Sequence, residues 1–124
     1  MPKILNIQIN QITLSATLNE SSTSQLVWES LPITANINIW GKEIYFSTPI
    51  KTDSDHNATD IVDKGTVAYW PPGNALCLFW GPTPASLGDE SRSASPVNII
   101  GLINENLEIL NSVQNGTEII LSKR

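Results

Sequence analysis

From Gly65 to Ser86 the chain carries no charged residue, although charges flank the stretch on both sides. It holds four of the eight prolines and two of the four tryptophans. The prolines forbid a long helix, and the apolar run is too short to span a membrane. Val67-Ala68-Tyr69-Trp70 is rich in β-branched and aromatic residues and favours a strand. Pro71-Pro72-Gly73-Asn74 then turns the chain: Pro72 presets φ at the first central position, and Gly73 accepts the positive φ that a type II turn needs at the second. Ala75 to Trp80 returns as a second strand. Neither strand alternates apolar with polar residues, so both faces are expected to be covered, one by a barrel interior and the other by a helix or loop. Gly81-Pro82-Thr83-Pro84 stops the second strand by removing ladder donors.

The other strands are of the ordinary half-wet kind. Leu5, Ile7 and Ile9 alternate with Asn6 and Gln8, and Ile12, Leu14, Ala16 and Leu18 alternate with Thr13, Ser15 and Thr17. With Asn10-Gln11 between them they predict a hairpin. The period changes over Asn19 to Leu31, where Ser22 and Gln25 fit a capping box and Leu26, Val27 and Leu31 form an apolar stripe. Pro32 ends that helix. Ile33, Ala35, Ile37 and Ile39 alternate with Thr34, Asn36 and Asn38, the cleanest strand in the sequence. Trp40 follows on its polar face. Gly41-Lys42 turns into Glu43-Ile44-Tyr45-Phe46. Lys51 to Asp63 and Leu87 to Ser95 are polar and read as loops. Pro96 to Ile103 is a strand interrupted by Gly101, Glu105 to Val113 has helical spacing, Asn115-Gly116 turns, and Ile119 and Leu121 close the sheet. Some eight short strands and two helices make one domain over residues 1–124, and closure into a barrel hides the strand edges.

Composition narrows the function classes. The formal charge of −5 gives the chain no electrostatic footprint for nucleic acid or for an anionic membrane. The single cysteine, Cys77, excludes an internal disulfide and an all-cysteine zinc site. Met1-Pro2-Lys3-Ile4 lacks the apolar core of a signal peptide, so a cytoplasmic location is expected. Asp53-Ser54-Asp55-His56-Asn57 opens like a calcium loop, but Ala58 stands at the required glycine and Lys64 at the bidentate glutamate. It reads as a solvated loop, and no metal or other cofactor is expected.

Three segments resemble a known family: Trp40-Gly41-Lys42-Glu43-Ile44-Tyr45-Phe46, Ala68-Tyr69-Trp70-Pro71-Pro72-Gly73-Asn74-Ala75-Leu76-Cys77-Leu78-Phe79 and Gly81-Pro82-Thr83-Pro84-Ala85-Ser86. The chain is similar over nearly its whole length to bacterial and archaeal proteins with a cyclophilin-like domain. The resemblance implies a mainly β fold, a closed eight-stranded cyclophilin-like barrel with two short flanking helices. The family more often carries an aspartate where this chain has Thr66. Prolyl isomerases of cyclophilin type use an arginine beside an apolar pocket, a phenylalanine-methionine-glutamine segment and a later histidine. That segment is missing here, so no catalytic residue carries over.

Site candidates come from residues that do not fit the core. Trp40 and Tyr45 fall on faces that elsewhere carry polar groups. Together with Trp70 and Phe79 they form an aromatic patch of the kind that binds a small molecule or a peptide. Glu43, beside Trp40 and Tyr45, acquires a raised pKa if it is buried at a barrel mouth; the plain alternative pairs it with Lys42 or Lys64 at the surface. Arg92 is a candidate anchor for a carboxylate or a peptide carbonyl. Cys77, mid-strand in the most apolar stretch, reads as a buried hydrophobe. The leading expectation is a non-catalytic domain that binds a small organic ligand or extended peptide through Trp40, Glu43, Tyr45, Trp70, Phe79 and Arg92. A prolyl isomerase or other weak enzyme is the second reading. A self-associating domain, with the aromatic patch as a homodimer contact, is the third.

Overall fold

The computed structural model describes residues 2–124. The first hairpin pairs β1 (Ile4–Ile9) with β2 (Ile12–Leu18), Ile9 opposite Ile12. Asn10 takes the left-handed backbone of the turn, with φ 55°. The alternation holds on β1, but on β2 Ser15 is buried, because Glu105 reaches over and accepts from its N–H and hydroxyl, both at 2.7 Å. Helix α1 (Ser22–Glu29) starts one residue earlier in capping terms than the spacing implies. Ser21, not Ser22, is the cap, accepting from the Ser24 N–H. The Gln25 side chain is spent on Lys3 and Glu29 rather than on a capping box. Val27 is the apolar residue the helix buries, with Thr23 and Ser24 beside it; Trp28 is half-buried against the core, with Lys3 and Lys123 over its ring, 5.9 and 5.2 Å from the centroid.

The clean strand after Pro32 is in fact two, β3 (Ile33–Asn36) and β4 (Asn38–Ile39). The break is at Ile37, whose N–H and carbonyl go to Thr117 and Gly116, while Asn115 caps the N–H of Ile39. Beyond that point the chain changes partner. β3 pairs with β10 (Glu118–Lys123), and β4 pairs with β5 (Glu43–Ser47). The remaining strands are β6 (Thr59–Val62), β7 (Thr66–Trp70), β8 (Ala75–Phe79) and β9 (Ser91–Ile103). All pairings are antiparallel, in the order β3-β10-β1-β2-β9-β7-β8-β5-β4, with β6 on β9.

This architecture corrects the expectation in four respects. There are ten strands rather than eight. The hydrogen-bonded order is open: its two ends, β3 and β4, are joined through Ile37 by the chain and not by a ladder. The segment 51–63 contains β6, and the presumed loop 87–95 supplies the first half of β9, a strand of 13 residues. The expected second helix is a 3₁₀ segment, Leu107–Ser112, so α1 is the only α-helix among the described residues.

The central hairpin behaves as its composition requires. Every residue of β8 and all but Trp70 of β7 are buried. On the inner face Val67, Tyr69, Leu76 and Leu78 join the main core with Leu5, Ile7, Phe46, Ile100 and Leu121. On the outer face Ala68, Cys77 and Phe79 form a second apolar cluster with Val62 and Val97, covered by β6 and the first half of β9. Burial on both sides explains why these strands show no alternation.

Candidate functional site

The outer cluster does not cover the whole hairpin. Where it stops, a cleft of about 160 Å³ opens between Trp40, Glu43, Tyr45, Trp70, Ser93 and Ala94. Trp40 and Glu43 bracket a two-residue turn, exchanging backbone hydrogen bonds of 2.9 and 3.2 Å. Gly41 supplies the positive φ of 61° that this tight connection needs. The pleat then sends Glu43 and Tyr45 to the outer face, opposite Phe79 and Cys77, and sends Ile44 and Phe46 into the core. Trp70 ends β7 on the same side, and its indole N–H donates to Ser95 Oγ at 2.7 Å.

Glu43 is the unusual member. It is 4% exposed, and its Oε1 is buried with no hydrogen-bond partner. Burial pushes its pKa up from 4.5 to about 7, an effect that the neighbouring Cys77 thiol partly offsets. Burial also raises the Cys77 thiol, and the Glu43 charge adds to that. No lysine, arginine or histidine lines the cleft. Lys64, a surface partner considered for Glu43, pairs with Asp89 at 2.9 Å instead, and Lys42 lies along Gly81. The cleft is therefore an aromatic and small-residue enclosure with one carboxyl group in its wall.

Of the six candidates from the sequence, four line this cleft: Trp40, Glu43, Tyr45 and Trp70. Phe79 does not. It is fully buried in the outer cluster and supports the wall from behind. Arg92 also stands apart, on strand β9 rather than in a loop. Its guanidinium is held by Asp60 at 3.2 Å and Glu90 at 3.0 Å. Those carboxylates raise its pKa, Glu90 foremost. Glu90 in turn is lowered to about 2 by the Leu87 N–H and by Arg92. This triad ties the 87–92 segment to β6 and spends the Nε and Nη1 donors of Arg92 on Glu90 and Asp60, away from the cleft. Sequence reading missed Ser93 and Ala94. The run Ser91-Arg92-Ser93-Ala94-Ser95 was the available signal, since small side chains on a strand leave space above their neighbours. His56 is exposed in the loop before β6, far in role from any of these groups.

Among the described residues no group of three or more His, Cys, Asp or Glu is arranged to hold a metal ion, and no helix is long and apolar enough to cross a membrane. No curated protein matches the chain. Its fold is similar to the solution structure of the hypothetical protein AF2241 from Archaeoglobus fulgidus. The TM-score is 0.84 at 36% sequence identity, over 99% of this chain and 95% of that one. A family model described as cyclophilin-like matches residues 3–122. An open-ended antiparallel sheet with a main core on its inner face, matched along almost its full length by sequence and by shape, makes this chain a member of the cyclophilin-like family.

Proposed function

We propose that the domain binds a small organic ligand, or a single side chain of an extended peptide, in the cleft between Trp40, Glu43, Tyr45 and Trp70, without covalent chemistry. The observation that carries this reading is the unpartnered carboxyl oxygen of Glu43 in an aromatic wall. A buried acceptor left without a hydrogen bond costs about 1–3 kcal/mol. Such a cost is tolerated where a ligand supplies the missing donor. A cleft of about 160 Å³ is smaller than the 300–1,000 Å³ of drug-sized sites, so the occupant is one ring-sized group.

Two features weigh against prolyl isomerisation of the cyclophilin kind. Arg92 is committed to Asp60 and Glu90, and the cleft has no cationic side chain to polarise a proline amide. Cys77, buried beside Glu43, supplies no nucleophile, because its raised pKa keeps it a thiol. The same buried free thiol suits a reducing compartment, and the reading places the protein in the cytoplasm.

The test is a tryptophan-fluorescence titration with ring-sized fragments of neutral, anionic and cationic type, on the native chain and on Trp40→Ala. Saturable quenching by at least one fragment, lost or weakened about tenfold or more in Trp40→Ala, is expected. Full affinity in the variant defeats the site assignment.

A further inference from the structure

We infer that the group this cleft selects is an organic ammonium, a primary to tertiary amine in its protonated form carried on a ring-sized apolar body. The inference rests on the reading of the cleft as a ligand site and adds the chemical class. Four of its six lining residues are Trp40, Tyr45, Trp70 and Glu43, the other two being Ser93 and Ala94. Aromatic residues attract a cation through their ring quadrupoles, more strongly where water is excluded. Glu43 supplies the counter-charge, and its Oε1 makes no hydrogen bond, the donor beside the carboxyl being the weak Cys77 thiol. An ammonium N–H satisfies both deficits at once, which a neutral ring satisfies only in part.

The alternatives meet specific obstacles. An anionic ligand finds no Lys, Arg or His in the lining and is repelled by Glu43 as soon as that group ionises. The nearest-in-sequence cation to the β9 wall, Arg92, is paired with Asp60 and Glu90 and does not line the cleft. The net charge of −5 also favours approach of cations over anions. The groups that act on the Glu43 carboxyl are its own burial and the Cys77 thiol of β8. The thiol favours the carboxylate but is outweighed by burial, so a bound ammonium drives Glu43 to ionise and releases its proton when the complex forms below about pH 7.

Three probes, each one phenyl ring with a single polar head, test this: benzylammonium, benzyl alcohol and benzoate, followed by the indole N–H resonances of Trp40 and Trp70 at about pH 8, where a group titrating near 7 is ionised. Benzylammonium is expected to bind at least about tenfold more tightly than the alcohol, with benzoate weakest. Glu43→Gln keeps the shape of the side chain and should bring the ammonium and the alcohol to within about twofold. If the alcohol or benzoate binds as tightly as the ammonium, the ammonium class is wrong while the ligand cleft stands. If none of the three moves either indole resonance at millimolar concentration, the cleft reading falls with it.

Discussion

The six-membered ring of Trp70 lies so close to the backbone of Gly73 that a Cβ there would stand 2.6 Å from Cζ3 and 2.7 Å from Cε3. Glycine is at this position for contact and not for a turn angle: the left-handed residue of the reversal is Asn74, at φ 48° and ψ 41°, after a 3₁₀ turn over Pro71–Gly73. Gly73→Ala must therefore move the indole, which breaks its 2.7 Å hydrogen bond to Ser95 and narrows or opens the cleft. A loss of about 1–3 kcal/mol is expected, in the range of overpacking. Urea unfolding measures the loss, and the Trp70 indole N–H resonance reports the shift. An unchanged resonance would show that the ring does not depend on that contact.

Stability should depend on pH through Glu43. Its folded pKa, about 7, lies above its ordinary 4.5, so the native state holds the proton more tightly than the unfolded chain. The sign follows: between these values the folded state carries more protons, and stability falls as pH rises from about 4.5 to about 7, then levels. The full contribution is roughly 3 kcal/mol, from 1.36 kcal/mol per pKa unit over the rise from 4.5 to about 7. Glu43→Gln cannot ionise and should lack this slope. Chemical denaturation of both proteins at low and neutral pH checks it. A native-minus-variant difference that stays constant across the window would mean that Glu43 is not desolvated.

The sequence made some of this legible and concealed the rest for physical reasons. The central hairpin announced itself because burial on both faces removes every charge from Gly65 to Ser86. Parity exposed the cleft, since Trp40 and Tyr45 sit where a half-wet strand should be polar. The first half of β9 was hidden because Ser91, Ser93 and Ser95 look like loop residues. They are strand residues, and β9 pairs with β6 through Ser91, Arg92 and Val97 beside the outer cluster. Arg92 looked available because its partners come from other segments, Asp60 from β6 and Glu90 from the preceding turn. The split at Ile37 was invisible because it depends on backbone partners nearly eighty residues further along, at Gly116 and Thr117.

Arg92 offers a direct contrast between holding a strand and holding a ligand. Arg92→Met removes the contacts to Asp60 and Glu90 and keeps the aliphatic stem. Exchange of the β6 and β9 amides near Thr59–Val62 and Ser91–Arg92 should quicken, while the affinity of any cleft ligand changes by less than about twofold, as expected for a residue outside the lining. Hydrogen exchange and the fragment titration measure the two effects separately. A tenfold loss of affinity with unaltered exchange would return Arg92 to the site.

Tyr69 links the hairpin to the loop that follows β5. The residue is fully buried, and its hydroxyl lies 2.7 Å from the Ile50 carbonyl and 3.1 Å from Asn74 Oδ1, while accepting from the Thr52 N–H at 3.3 Å. One hydroxyl thus serves the left-handed turn residue and the 50–52 backbone. Tyr69→Phe keeps the ring in the core and strands these partners, of which the Ile50 carbonyl is the closest. The expected cost is about 1–3 kcal/mol, the penalty of leaving a buried polar group unpaired rather than the smaller net value of one hydrogen bond. Because the ring stays packed, the loss should appear as a lower urea midpoint with an unchanged m value. It should also quicken exchange at the Thr52 amide ahead of global unfolding. A midpoint that does not move would show that water replaces the hydroxyl at no cost, and that the loop is fastened elsewhere, by the Thr48 hydroxyl on the Asn74 carbonyl at 2.9 Å.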